Sequence, residues 1–301
     1  AESVRTGLAA NRPGGGVQAV GATAGFLKQL PAEEPLLFVG LGSNLLVRDG
    51  GWRGTAVLMH AASRRPEIRD GVIYAEAGVA SPKVARFAAV HDLEGAEFLA
   101  GVPGTVGGAL AMNAGCYGGE TWDVVERVAT IDRHGRIVER SRDEYDIGYR
   151  HCAPKTPGEE WFAAAWFHLK AGDGEASRAV MKELLARRVA TQPLGLPNAG
   201  SVFRNPPKHH AARLIESCGL KGFERGGAAD VVVPVGVAAV DHGVALVEQV
   251  GELEHRLLGC VTGRHHHPHR ARPLELAHQV FERGGAGGAV ALGGADVVRV
   301  V

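Results

Sequence analysis

The chain has 301 residues, enough to bury a large core and to divide into two or three domains. Its 33 Lys and Arg balance 33 Asp and Glu, which removes any general electrostatic reason to expect a nucleic-acid partner. No basic region with an apolar core opens the chain and no apolar stretch reaches membrane-spanning length, so a soluble cytoplasmic protein without a membrane partner is expected, as a monomer or weak oligomer.

Taken in order, Ala22 to Leu30 reads as a helix, Leu36 to Val39 as a buried strand, and Ala56 to Met59 as another after the Gly50-Gly51 turn. Between these strands lies the first glycine-dense loop, VGLGSNLLVRDGG (Val39–Gly51). Val72 to Gly78 is a strand entering a turn, and Ser81-Pro82 marks the start of a helix through His91. The second loop follows as GVPGTVGGALAMNAGCYGGE (Gly101–Glu120). Glycine accepts positive φ and lets backbone N–H groups converge on an anion, so two such loops suggest one phosphate-bearing cofactor held from two sides. Tight turns beside a sheet would explain either loop alone. Gly40-Leu41-Gly42 continues without a third glycine and no Walker lysine follows, which disfavours a standard Rossmann site or P-loop.

Further along, Val124 to Ile131 and Arg136 to Val138 flank the Asp132–Gly135 turn as a hairpin, and Trp161 to Leu169 alternates like a strand. Ala176 to Arg188 is an amphipathic helix, a domain boundary falls near 191, and Lys208 to Cys218 is a helix stopped by Gly219. Beyond Gly222, valine, alanine and glycine dominate, and FERGGA occurs twice without establishing a repeat. Cys116, Cys152, Cys218 and Cys260 show no C-x-x-C pair and read as unpaired thiols. The tract His265–His269 reads as an exposed segment, and no catalytic metal is expected.

Polar chemistry concentrates in three places. Tyr149 and Arg150 follow a glycine; the five-donor guanidinium suits a carboxylate or phosphate, although such an arginine is more often a salt-bridge partner. Ser201 lies in NAGSVFRNP without a G-x-S-x-G elbow, so it is better suited to donating a proton than to covalent attack, with a turn or cap hydroxyl as the alternative. Glu252 and Glu254 share one face of an extended segment and either present a carboxylate to a site or charge an edge strand.

The motifs GLGSNLLVRDGG, GVPGTVGGALAMNAGCYGGE, Tyr149-Arg150, LPNAGSVFRNP and AARLIESCGLKG together resemble the UDP-N-acetylenolpyruvoylglucosamine reductases, flavoproteins of bacterial peptidoglycan synthesis, in the family's order over roughly residues 10 to 222. The resemblance implies an α+β fold: a two-subdomain FAD-binding unit of the PCMH/vanillyl-alcohol-oxidase type (1–60 and 61–190), then an α+β substrate-binding domain (191–259), with 260–301 an irregular C-terminal segment. It implies FAD and NADPH as cofactors, a nucleotide-sugar substrate, and roles in cell-wall biogenesis, cell shape, division and the cell cycle.

By the same resemblance Gly40, Leu41, Gly42, Ser43, Asn44 and Leu45, with Pro103, Gly104, Thr105, Gly107, Asn113, Gly115, Tyr117 and Gly118, would line FAD. Arg150 would stabilise developing negative charge on the enolpyruvyl group, Ser201 would protonate it, and Tyr149 and Asn205 would place the substrate. Glu254, in E-x-R followed by two apolar residues and glycine, would be the second catalytic carboxyl, although Leu253 stands where the family has proline. The short passage from Arg150 to Asn198 matches the family's compact form. The rival readings are another FAD-linked oxidoreductase of the same fold, which GSVFRNP and the lack of a flavinylation motif argue against, and a noncatalytic flavin- or nucleotide-sugar-binding protein.

Overall fold

The computed structural model describes residues 17–47, 51–191, 205, 209–220 and short strands at 224–225, 228–229 and 297–298. The chain divides into two compact units, one of Ala1–Ser43 with Arg53–Arg187 and one of Asn44–Trp52 with Arg188–Val301.

The first unit begins with α1 (Val17–Leu27) and β1 (Leu36–Val39); β2 (Leu46–Val47) belongs to the second unit. Strand β3 (Thr55–Leu58) then runs parallel to β1, with Leu36 opposite Thr55. The hairpin β4 (Glu67–Arg69) and β5 (Val72–Glu76) leads into α2 (Ser81–Val90) and the short β6 (Leu93–Glu94). Helix α2 begins at the residue expected as its cap. Ala80 is the N-cap and Ser81 the first helical residue, because the Ser81 N–H donates to the Gly104 carbonyl at 3.0 Å and ties the helix start to the second glycine loop.

That loop contains α3 (Val106–Ala111) and the tight hairpin β7 (Gly115–Cys116) and β8 (Gly119–Glu120). The hairpin β9 (Val125–Asp132) and β10 (Ile137–Ser141) follows as expected. A second hairpin, β11 (Tyr145–Gly148) and β12 (His151–Pro154), precedes β13 (Glu160–Phe167), β14 (Lys170–Ala171) and α4 (Gly174–Thr191).

The central sheet is antiparallel throughout, in the order β10-β9-β13-β5-β4. Alternation of side chains along these strands builds a core on each face. Ile73, Ala75, Val128, Ala165 and Phe167 pack with Val84, Ala88 and Leu110 from α2 and α3, while Tyr74, Ala129, Ile131 and Trp166 pack with Ala24, Leu27 and Leu36. The register slips between Phe162 and Ala164, so Ala163 and Ala164 both enter the second core, as a bulge permits. Trp122, fully buried, anchors the first core, and its indole N–H donates to the Leu110 carbonyl at 3.0 Å.

In the second unit α5 (Ala211–Ser217) ends at Gly219, whose φ of +69° is the left-handed stop expected from sequence. Its start is Ala211 rather than Lys208. The paired strands β15 (Glu224–Arg225) and β16 (Ala228–Ala229), and β17 (Val297–Val298) against β2, complete its described elements. Among the described residues Cys116, Cys152 and Cys218 form no disulfide.

Candidate active site

The two glycine loops touch. Ser43 Oγ donates to the Pro103 carbonyl at 3.2 Å. A Cβ on Gly104 would lie 2.8 Å from Ser43 Oγ, and one on Gly40 would run into the Thr105 hydroxyl. Each loop is therefore shaped to the other, and Gly104 holds φ +112°, a conformation that favours glycine.

The backbone donors at this junction decide whether a phosphate-bearing group fits. At the start of α3 the N–H groups of Val106 and Gly107 donate to the carbonyls of Val79 and Ala77 at 2.8 and 2.9 Å, and the Gly108 N–H reaches Thr105 Oγ1 at 3.4 Å. The helix start is thus internally satisfied. The N–H groups of Gly40, Leu41, Gly42, Ser43, Gly104 and Thr105, by contrast, donate to no group among the described residues. Gly104 and Thr105 are buried, and buried donors without a protein partner are rare enough to indicate a ligand or water. Ser81, 1 % exposed and bonded through its N–H to Gly104, adds a buried hydroxyl with no protein partner. Six backbone donors on two abutting loops fit a pyrophosphate-bearing cofactor such as FAD.

Several residues expected at the cofactor are accounted for by packing. Gly107 is small because α3 lies on Ala77, where a Cβ would sit 2.9 Å from the Ala77 Cβ. Gly115 is small because a side chain would strike the Gly119 carbonyl across the hairpin. The carboxamide of Asn113, 4 % exposed, is turned inward: Nδ2 donates to Glu120 Oε2 at 2.7 Å and to the Gly148 carbonyl at 3.3 Å, and Oδ1 accepts from the Trp122 N–H at 3.1 Å. The side chain's polar atoms are thus engaged within the protein. Tyr117 and Gly118, at φ +56° and +91°, form the two-residue loop between β7 and β8, the pattern of a type I′ turn. Tyr117 Oη donates to the Leu184 carbonyl of α4 at 2.9 Å.

Tyr149 and Arg150 form the two-residue loop of the β11–β12 hairpin, which the sequence reading did not anticipate. Arg150 has φ +51°, where a side chain other than glycine or asparagine is uncommon. It is half-buried, and its guanidinium makes no hydrogen bond or ion pair among the described residues. Asn113, Tyr117 and Arg150 are three of five non-glycine residues at positive φ among the described residues; the others, Asp70 and Asp92, lie in turns outside the glycine loops.

Within the first unit, contacts join Gly40–Ser43 to Pro103–Thr105, and Asn113 to Glu120 of the 115–120 hairpin and to Gly148 before the Tyr149-Arg150 turn. Asn44 and Leu45 fall in the second unit. So does Asn205, whose Oδ1 accepts from the Ala211 N–H at 3.0 Å and caps α5 from six residues upstream. Ser201 and Glu254 lie outside the described residues. Among the described residues no cluster of His, Cys, Asp and Glu could hold a metal ion, and no helix is long and apolar enough to cross a membrane.

The family model for the FAD binding domain matches residues 19–141, and that for the UDP-N-acetylenolpyruvoylglucosamine reductase C-terminal domain matches residues 192–263. A UDP-N-acetylenolpyruvoylglucosamine reductase from Thiobacillus denitrificans is 54% identical over 244 residues, covering 74% of this chain and 75% of its own. The chain belongs to the UDP-N-acetylenolpyruvoylglucosamine reductase family.

Another such reductase, from Nitrosospira multiformis, is 53% identical over 258 residues, covering 76% of this chain and 74% of its own. The crystal structure of the reductase from Thermus caldophilus superposes with a TM-score of 0.65 at 29% identity, covering 78% of this chain and 85% of that one. The fold is accordingly α+β, an FAD-binding unit followed by the reductase C-terminal domain. The match to that C-terminal domain runs through the segment from Phe223 onward, where the sequence departs from the family pattern, and includes Ser201, Asn205 and Glu254.

Proposed function

We infer that this chain reduces UDP-N-acetylenolpyruvoylglucosamine to UDP-N-acetylmuramate with NADPH as reductant, a cytoplasmic step of peptidoglycan synthesis that serves cell shape and division. The observation that carries this reading is the 54% identity to a reductase of this name over three quarters of both chains. Bound FAD supplies the means of taking a hydride from NADPH and delivering it to the enolpyruvyl group.

The chain's own residues hold, orient and neutralise. The amides of Gly40–Ser43, Gly104 and Thr105 bind the cofactor's phosphates, with Ser81 behind them. As the vinyl group is reduced, negative charge grows on the neighbouring carbon and its carboxylate, and the unengaged guanidinium of Arg150 meets it. A fixed planar fork suits a carboxylate better than a lysine would. Ser201 donates the proton that completes the lactyl ether, with Glu254 as its relay or electrostatic partner, and Tyr149 and Asn205 help to place the substrate.

The test is anaerobic. Protein reduced with NADPH is mixed with the enolpyruvyl ether, and cofactor reoxidation is followed together with UDP-N-acetylmuramate formation. Both are expected at one equivalent; reoxidation without that product would sink the assignment. Ser201→Ala should keep reduction by NADPH and lose product, whereas equal loss of both would place Ser201 in folding or cofactor binding.

A further inference from the structure

We propose that Asn113, locked by Glu120, is the positioning residue that holds the Arg150 turn in place. The inference rests on the charge-stabilising role given to Arg150 above.

Asn113 follows α3 at the position where helices usually place glycine. Its N–H donates to the Leu110 carbonyl at 3.1 Å, the Ala114 N–H donates to the Ala109 carbonyl at 2.8 Å, and its φ is +40°. These two bonds form a Schellman stop, for which glycine is the least strained residue. In a segment rich in glycine, asparagine here puts a carboxamide into a site that is 4 % exposed. A buried carboxamide is tolerated only when its polar atoms are paired.

All its partners converge on the Arg150 turn or its foundations. The Glu120 carboxylate accepts and so requires the NH₂ side, while the Trp122 N–H requires the oxygen side, which fixes the amide orientation. The remaining donor of the NH₂ group reaches the Gly148 carbonyl at 3.3 Å. Gly148 pairs with His151 to close the β11–β12 hairpin, so this bond grips the peptide immediately before Tyr149-Arg150. Trp122 is fully buried, and its carbonyl accepts from Arg142 at 2.6 Å. The grip is thereby referred to the rigid core. An arginine in a two-residue loop at positive φ has no helix or sheet of its own to fix it; Asn113 supplies that fixture.

Asn113→Gly keeps the left-handed stop and deletes only the carboxamide; Glu120→Ala loosens the same amide without touching residue 113. In the FAD-loaded enzyme both should slow the half-reaction with the enolpyruvyl ether by about 10- to 100-fold, the cost of misplacing a catalytic group by roughly 1 Å. Reduction by NADPH should be slowed less than this second half-reaction in both variants. In protein without cofactor, amide hydrogen exchange across 145–154 should speed up in both variants. In an Arg150→Ala background Asn113→Gly should add nothing, because it acts through the side chain already removed. Equal loss in both half-reactions, a loss additive to that of Arg150→Ala, or unchanged exchange in the hairpin overturns the proposal. Absence of product from wild-type enzyme would instead overturn the functional reading itself.

Discussion

Replacing Arg150 with glycine should separate stability from activity. At φ +51° an L-residue with a long side chain carries a cost of about 1–2 kcal/mol, which glycine removes. Glycine in turn loses about 0.5–1 kcal/mol more conformational entropy on folding. Because the guanidinium has no partner among the described residues, little else is given up. The net expectation is a protein as stable as wild type or more stable by about 1 kcal/mol, a rise in Tm of up to about 4 °C for a unit of this size. Removing a group aimed at developing charge should meanwhile lower the half-reaction with the enolpyruvyl ether by about 10²- to 10³-fold. Thermal unfolding of the FAD-loaded protein and rapid mixing of the reduced enzyme with substrate measure the two sides. A Tm lowered by several degrees would mean that Arg150 is a structural residue, and a rate within tenfold of wild type would remove it from the chemistry.

Three further outcomes are expected. Gly104→Ala, which forces a side chain to φ +112° with its Cβ 2.8 Å from Ser43 Oγ, should cost about 1–3 kcal/mol and release FAD on dialysis, whereas Gly42→Ala, at φ +73° with open space, should carry the dihedral cost alone; equal cofactor loss in both would argue against the loop junction. Burial raises Glu76 to about 6 against the opposing pull of Arg64 3.2 Å away, so between about pH 4.5 and 6 the folded protein holds a proton that the unfolded chain has released, and stability should fall by about 2 kcal/mol as pH rises through that window. Glu76→Gln should remove this component from urea titrations at pH 4.5 and 7, and an unchanged difference between the two pH values refutes it. Burial pushes the Cys152 thiol up to about 12, so alkylation at pH 8 should modify it far more slowly than the same cysteine in urea.

The strands at Leu36, Val72 and Val125 and the helices after Ser81 and before Gly219 were legible because their apolar spacing and stop residues are local signals. The contact of the two glycine loops was legible only as a suspicion that both served one ligand. Three features escaped for physical reasons. The β11–β12 hairpin carries no glycine or asparagine at the loop position held at positive φ, so the usual turn signal is absent and Arg150 marks the place instead. The Asn113 carboxamide pairs with the Trp122 N–H and the Glu120 carboxylate, contacts that no local spacing signals beside a glycine tract. The bond from the Ala211 N–H to Asn205 Oδ1 spans six residues, which falls outside local capping patterns. The family motifs supplied chemistry that periodicity never could, since no spacing rule distinguishes a serine that donates a proton from one that caps a turn.

The abutting loops also constrain how this site can change over generations. Gly40 is small because Thr105 stands opposite, and Gly104 is small because Ser43 does. Each loop thus contributes one glycine and one hydroxyl residue, interlocked with the other's pair. A bulkier residue at either glycine is blocked until the facing hydroxyl residue shrinks, and shrinking Ser43 also removes its bond to the Pro103 carbonyl. Positions 40 and 105, and 43 and 104, should therefore vary as pairs, and a mutant library that randomises one loop alone will return mostly dead sequences.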